Sequence, residues 1–449
     1  MEKKVENQAS GGTLGLSALI AIAVGQVIGV GVINTTGLAI AETGQSTWIA
    51  YILAVLFGFV WILPAVFFSS IARFKGGYYA LVTSLLGEKA GGLYALWYMP
   101  MYLATAMVGV GIGNYIHAIF PFIPGKVAGF VLLTLFWLIN MRGLSLMANF
   151  QRPMTAMLVV CLAVFGIAGI MKAQSGALDV TSDGYFLNGG AGLFSALVLL
   201  IYSTSGQGLV IGFSWNAKKP QRDIPIAICV ATVVILVLYS VVAFGATSVL
   251  PIEEVAGKPL TVAARAMFPD TLYYLFVFCG PVLALVTTLN SGFAALTAPI
   301  LGGVRNGWLP AGIARTNKNG APYILYTVMY LLGVLPLLFG VPLNTLTNYT
   351  VITQRITGTL ACLAMFMIPI KFKSAWQKSW LHLPNPVYYA IAVFALGTQL
   401  IAVYLSARSL GWTGFIINMA VVIALAAVAL VRHKLGKVHS QISCEIIDE

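Results

Sequence analysis

The chain has 449 residues, of which 59% are hydrophobic and 8% charged, and its mean hydropathy is +0.92. Soluble domains carry about 25% charged residues, so this composition excludes a soluble globular fold. At about 20 apolar residues per crossing, the length holds on the order of a dozen membrane helices and no large domain besides. The net charge of +12 then reads as topological. The lipid bilayer, and not nucleic acid, is the expected partner.

Residues 1–13 read as a short cytoplasmic tail without a cleavable apolar region, so the first span is expected to direct insertion. Apolar stretches bounded by charges, Gly, Pro and Asn predict spans at 14–41, 46–71, 91–119, 125–140, 153–171 and 191–214. Six more follow at 225–250, 272–304, 322–340, 346–370, 386–407 and 411–431, with a cytoplasmic tail at 432–449. An even number of spans leaves both termini on one side. With the amino terminus inside, nineteen Lys and Arg face the cytoplasm, among them Arg73, Lys75, Lys218, Lys219 and Arg305. Five lie outside: Lys126, Lys172, Lys258, Arg265 and Arg408. That asymmetry follows the positive-inside rule, predicting a multi-pass protein of the cell (inner) membrane with both termini cytoplasmic.

The first span contains GQVIGVGVINTTG, with Gly25, Gly29, Gly31 and Gly37 where a continuous helix favours Leu or Ala. The sixth contains YSTSGQGLVIG, with Gly206, Gly208 and Gly212. Each glycine group alone is compatible with close helix packing. Together they stand at corresponding places in two halves of five spans each, 14–172 and 190–371. An odd number of spans per half requires the second half to insert upside down, which is an inverted repeat. Residues 386–431 are left as two additional spans. Unwound backbone at mid-membrane depth is tolerated only where it lines a cavity, and its free N–H and C=O groups then become ligands. Gly29, Val30, Gly31 and Val32 are therefore the candidates for a substrate carboxylate, at a half-helix amino end. The carbonyls around Tyr202, Ser203, Thr204, Ser205 and Gly206 are the candidates for an ammonium group.

Tyr102, in the aromatic third span, is a candidate gate. Thr287, Thr288 and Ser291 in the eighth share one stretch of helix and are candidate oxygen ligands for Na⁺, although hydroxyls in membrane helices also serve as interhelical hydrogen bonds. Beyond that ion the sequence calls for no cofactor. Cys161, Cys229, Cys279, Cys362 and Cys444 show no paired spacing, and His117, His382, His433 and His439 do not cluster, so neither a metal centre nor a catalytic constellation is expected. Arg355 falls well inside the tenth span, whereas all thirteen acidic residues fall in loops, tails or span ends. Three readings fit it. It caps exposed carbonyls of a broken helix, gates by reaching an outer acid such as Glu42, or binds a carboxylate on the substrate.

Several motifs in order carry a family resemblance. Leu14-Gly15-Leu16 with Ile28-Gly29-Val30-Gly31-Val32-Ile33, then Gly76-Gly77-Tyr78-Tyr79 and Leu86-Gly87, then Lys218-Lys219-Pro220-Gln221-Arg222-Asp223-Ile224-Pro225 lie in sequence. Arg305-Asn306-Gly307-Trp308-Leu309-Pro310 and Gly320-Ala321-Pro322-Tyr323 complete the set. This pattern resembles the amino acid, polyamine and organocation (APC) superfamily of permeases across most of the chain. The resemblance implies an all-α membrane protein of LeuT type, a five-plus-five inverted repeat with two extra helices and breaks in helices 1 and 6, working by alternating access. Three departures stand out. Gly206-Gln207-Gly208 replaces the family's usual Gly-Phe-acid, Trp215-Asn216 stands where paired Glu is common, and Ala65 to Ser70 lacks an acidic residue. Nor does the fifth span, Thr155 to Gly169, carry the lysine that substitutes for a coupling ion in some proton-coupled relatives.

An amino acid permease, by exchange or cation symport, is thus the leading expectation, with a small neutral amino acid as the default substrate. A carrier of an organic anion or amine is the runner-up. A channel, an enzyme or a nutrient sensor fits less well, because the paired breaks point to rocking around a central site and the tails are too short to fold alone. A homodimer is compatible with the sequence.

Overall fold

Apolar runs punctuated by Gly, Pro and charged residues fold as a succession of helices in the computed structural model, which describes residues 12–182, 184–439 and 444–445. The first eleven are α1 (Leu16–Val27), α2 (Val30–Thr43), α3 (Thr47–Val60), α4 (Leu63–Ser69), α5 (Tyr78–Leu86), α6 (Glu88–Trp97), α7 (Ala104–Ile119), α8 (Gly125–Met141), α9 (Leu144–Met171), α10 (Gly189–Ile201) and α11 (Pro220–Ser248). Short α12 (Ile252–Val255) and α13 (Thr261–Met267) lead to α14 (Asp270–Val277), α15 (Leu283–Arg305), α16 (Tyr323–Phe339) and α17 (Leu343–Met365). Then come α18 (Ile368–Lys371), α19 (Lys373–Lys378), α20 (Asn385–Ser409) and α21 (Gly411–Lys434). Among the described residues, seven helical segments are long and apolar enough to cross a membrane, and four shorter apolar helices accompany them.

The outer surface agrees with that composition. Val160 and Ile167 on α9, Val233 and Val237 on α11, and Ile416 and Ile423 on α21 are more than half exposed, a distribution that suits hydrocarbon rather than water. Inside, small residues let helices approach closely. A Cβ on Gly113 of α7 would overlap the carbonyl of Gly125 on α8, and one on Gly169 of α9 would overlap Gly245 of α11. Backbone against backbone cannot shift as a flexible side chain can, so these glycines set the helix spacing.

The predicted first span is two helices, interrupted at Ile28–Gly29, where Gly29 has φ −149° and ψ −143°. The sixth is α10, a 3₁₀ turn at Tyr202–Thr204, a non-helical Ser205 at φ −121° and ψ 22°, and a ten-residue 3₁₀ stretch at Gln207–Asn216. That length is unusual for 3₁₀ geometry. The eighth segment carries a π turn at Phe278–Val282 around Pro281, whose missing N–H removes a helical hydrogen bond.

Other expectations change at the ends. The span expected from 153 begins at Leu144, because Arg152-Pro153 lies inside α9 rather than at its boundary. The loop after the second span holds α5, entered through Gly76 and Gly77 at φ 106° and 56°, a conformation open to glycine. The chain is also not purely helical: β1 (Arg73–Phe74) pairs antiparallel with β2 (Cys444–Glu445). The sequence gives no alternation long enough to announce a two-residue strand.

At one end of the molecule Leu14 bridges Ala217. Its N–H donates to the Asn216 carbonyl at 2.9 Å and its carbonyl accepts from Lys218 N–H at 2.9 Å. The Leu-Gly-Leu and Lys-Lys-Pro motifs therefore meet. Beside them Arg73 Nη2 donates to the Trp215 carbonyl at 2.6 Å, and Lys75 Nζ lies 3.8 Å from the centre of the Trp215 ring. Replacing Gly169 by Leu should separate α9 from α11 and destabilise the fold by roughly 1–3 kcal/mol. A lowered midpoint of thermal unfolding in detergent, against wild type, checks this.

Candidate functional site

A cavity of about 250 Å³ opens beside the interruptions, lined among others by Gln26, Gly29, Gly31, Ser203, Ser205 and Gly206. That volume suits a small metabolite rather than a drug-sized ligand. The two breaks are in contact with each other. A Cβ on Gly206 would sit 2.5 Å from the Gln26 carbonyl oxygen, and one on Gly31 would overlap Ser203. The chain needs glycine at both places because one broken helix passes against the backbone of the other.

Half of the candidates named from sequence gather here. Gly29, Gly31, Ser203, Ser205, Gly206, Thr288 and Arg355 line the cavity. Val32 is buried in the core behind it, and Thr204 turns away, its hydroxyl 3.1 Å from the Ala54 carbonyl. Val30 contributes the first residue of α2, and Tyr202 opens the 3₁₀ turn; their side chains lie outside the described structure. Tyr102 is buried but does not line the cavity, whereas its neighbours Tyr98 and Met101 do. Tyr78, Tyr94 and Tyr98 form a stack along the wall, with centroids 6.5 and 5.7 Å apart. From sequence, Tyr78 stands only in the Gly76 to Tyr79 motif, and Tyr94 and Tyr98 of the aromatic third span suit belt and packing as well as a gate.

The hydroxyls of α15 divide. Thr288 Oγ1 reaches the carbonyls of Gly25 (3.0 Å) and Ile28 (3.3 Å) at the end of α1, and that of Ala284 (3.1 Å) in its own helix. Thr287 donates to the same Ala284 carbonyl at 2.9 Å. Ser291 instead donates to Thr287 and accepts from Gln26 Nε2 at 2.6 Å. Four oxygens, three of them main-chain, thus converge where α1 stops: the Gly25, Ile28 and Ala284 carbonyls with the Thr288 hydroxyl, while the Thr287 hydroxyl shares the Ala284 carbonyl. The carbonyls carry no side-chain signal in the sequence. Only the spacing of Ala284 to Thr287 and Thr288 at three and four residues announces them. Behind this cluster, Asn290 Nδ2 donates to Gln151 Oε1 at 2.8 Å, and Thr155 Oγ1 reaches the Ala21 carbonyl at 3.1 Å. Uncharged groups therefore occupy the α9 face next to α1.

Arg355 stands on a further part of the wall, 8% exposed, its Cζ 4.9 Å from the centre of the Trp61 ring. Gln399 of α20 donates to the Arg355 carbonyl at 3.0 Å and lines the cavity with Gln354. Among the described residues, no Asp or Glu belongs to this wall. Glu42, the acid suggested as a partner for Arg355, lies at the far end of α2, where its carbonyl accepts from Asn188 at 2.9 Å.

The comparisons with known proteins now decide the family. The model for amino acid permeases matches residues 14–431. The chain belongs to the amino acid permease family. It is 26% identical over 334 residues to a chloroplastic cationic amino acid transporter 9 of Arabidopsis thaliana, covering 68% of this chain and 57% of that protein. It is 23% identical to a branched-chain amino acid permease of Bacillus subtilis (strain 168), covering 80% of each, and 26% identical to the L-asparagine permease of Escherichia coli (strain K12), covering 70% of this chain and 66% of that one. This permease is a multi-pass membrane protein of a transporter family, as its composition and motifs foretold.

Gly31→Leu should abolish transport without loss of expression, because the side chain must push α2 away from Ser203. Gly31→Ala should be impaired less, and adding Ser203→Gly should recover part of its activity. Initial uptake rates in proteoliposomes, normalised to reconstituted protein, check both.

Proposed function

We propose that this permease is a secondary transporter that carries an amino acid across the cytoplasmic membrane by alternating access, with twelve spans and both termini cytoplasmic. The observation that carries the reading is the contact of two interrupted segments at one cavity. Backbone N–H groups begin α2 there, and backbone carbonyls end the Tyr202–Thr204 turn beside them. One end suits a carboxylate and the other an ammonium, so together they suit the part that all α-amino acids share. The relatives named above are described for cationic, branched-chain and asparagine substrates, which fits a common main-chain site with variable walls.

A five-plus-five repeat is supported by the order of parts. Residues 14–172 and 190–371 each open with an interrupted segment, and each places short helices between its second and third long segments, α5 in one half and α12 with α13 in the other. α20 and α21 lie outside this pattern, with mostly exposed surfaces.

For coupling, the Thr288 hydroxyl and the three carbonyls it meets suit Na⁺, a hard cation that prefers carbonyl and hydroxyl ligands. A wall without carboxylates and an α9 without lysine offer no group to carry a proton. Exchange is the companion mode if the ion serves only to order α1. Counterflow in proteoliposomes against the common amino acids tests the function, and no counterflow with any of them would overturn it. An inward Na⁺ gradient should accelerate net uptake, and Thr288→Val should remove that acceleration while retaining exchange. A pH gradient alone, without sodium or internal substrate, should drive none.

A further inference from the structure

The cavity has two polar regions. The first, at the interrupted helices, is accounted for by the amino and carboxylate groups of an amino acid. The second is built by Trp61, Gln354, Arg355 and Gln399, from α17, α20 and the turn after α3, and lies on the same continuous wall. Ile62, Met101, Leu289 and other apolar residues line the space they share. Such a division matches a substrate with one polar group at its α-carbon and another at the end of its side chain.

The character of the second region is set by charge. Arg355 is the one ionised side chain in the described lining, set inside a low-dielectric surround. The Trp61 ring lies under the guanidinium carbon and is itself fixed by Nε1 donating to Thr398 at 3.0 Å. Gln399, 3% exposed, holds the backbone at Arg355 through its amide nitrogen. The ring supports the guanidinium and Gln399 fixes the backbone that carries it, which limits the entropy lost when it meets a ligand. Its N–H donors match a carboxylate in a two-pronged geometry that an amide cannot equal. The same positive charge opposes a side-chain ammonium.

We propose that Trp61, Gln354, Arg355 and Gln399 form a side-chain subsite selective for a carboxylate, so that the preferred substrate is an acidic amino acid carried as a monoanion. This rests on the permease reading and replaces the small neutral amino acid expected from sequence. The Gln354 and Gln399 amide oxygens, buried without a side-chain donor, make a carboxamide the nearest competitor. The guanidinium favours the carboxylate between the two, because a carboxylate takes two parallel N–H donors and carries the opposite charge, whereas an amide offers one neutral oxygen.

The test is counterflow in proteoliposomes with labelled glutamate, aspartate, glutamine, asparagine, leucine and lysine. Glutamate or aspartate should enter at least about tenfold faster than its amide, and lysine should not enter. Arg355→Lys should lower the acidic substrates by about tenfold or more and the neutral ones by less than about twofold. Gln399→Glu, which sets a carboxylate of the chain beside the guanidinium, should invert the order toward the amides. Quenching of tryptophan fluorescence by glutamate, lost in Trp61→Phe, gives a binding readout independent of transport. Preference for amides or for leucine in the wild type, or equal losses for all substrates in Arg355→Lys, would overturn the subsite and leave the permease reading standing. Silence toward every amino acid would overturn both.

Discussion

The contact on which the site depends is that between two backbones. The end of α1 at Gln26 lies against Gly206, and the start of α2 at Gly31 lies against Ser203. Neither place has room for a Cβ without something moving. A helix that gives up hydrogen bonds within the membrane normally incurs several kcal/mol per orphaned group. Here the cost is contained because each break faces a cavity, a hydroxyl or the other break. Thr288 is the clearest case, since one oxygen meets the Gly25 and Ile28 carbonyls that α1 leaves at its end.

The long helices then act as scaffolding for that contact. α11 packs on α1, α3 and α9, and α15 on α1, α8 and α9, so the broken segments are held between unbroken ones. Small residues at the crossings, such as Gly169 against Gly245, permit this density. The cavity is what is left when rigid rods surround two segments that cannot be rods.

The sequence disclosed more of the scaffold than of the site, for physical reasons. Hydropathy follows burial in lipid, so segments such as α8 and α16 were visible almost to the residue. Glycine clusters marked Gly29, Gly31 and Gly206 because the two clusters stand at corresponding places in the first and sixth spans. Arg355 was visible because a charge at that depth is rare. What stayed hidden depends on main-chain atoms or on rotation about a helix axis. The carbonyls of Gly25, Ile28 and Ala284 have no side-chain signature. Tyr98 lines the cavity while Tyr102, four residues on, does not, because the 3₁₀ stretch at Met99–Leu103 changes the angular step that a regular helix predicts. The boundary at α9 was misjudged because Arg152-Pro153 looks like a stop, although the helix continues through it.

The pairing of β1 with β2 gives the far end of the chain an unexpected address. Cys444 and Glu445 lie alongside Phe74 and Arg73, and Arg73 reaches the Trp215 carbonyl. Near the beginning of the chain, Leu14 is bridged to Ala217 just beyond. Segments from both ends of the sequence are thus tied to one short stretch that closes the sixth segment. A fusion partner, affinity handle or truncation at either end is therefore not a remote change. It pulls on Asn216 and its neighbours, and through the 3₁₀ stretch behind them on Gly206 and the cavity.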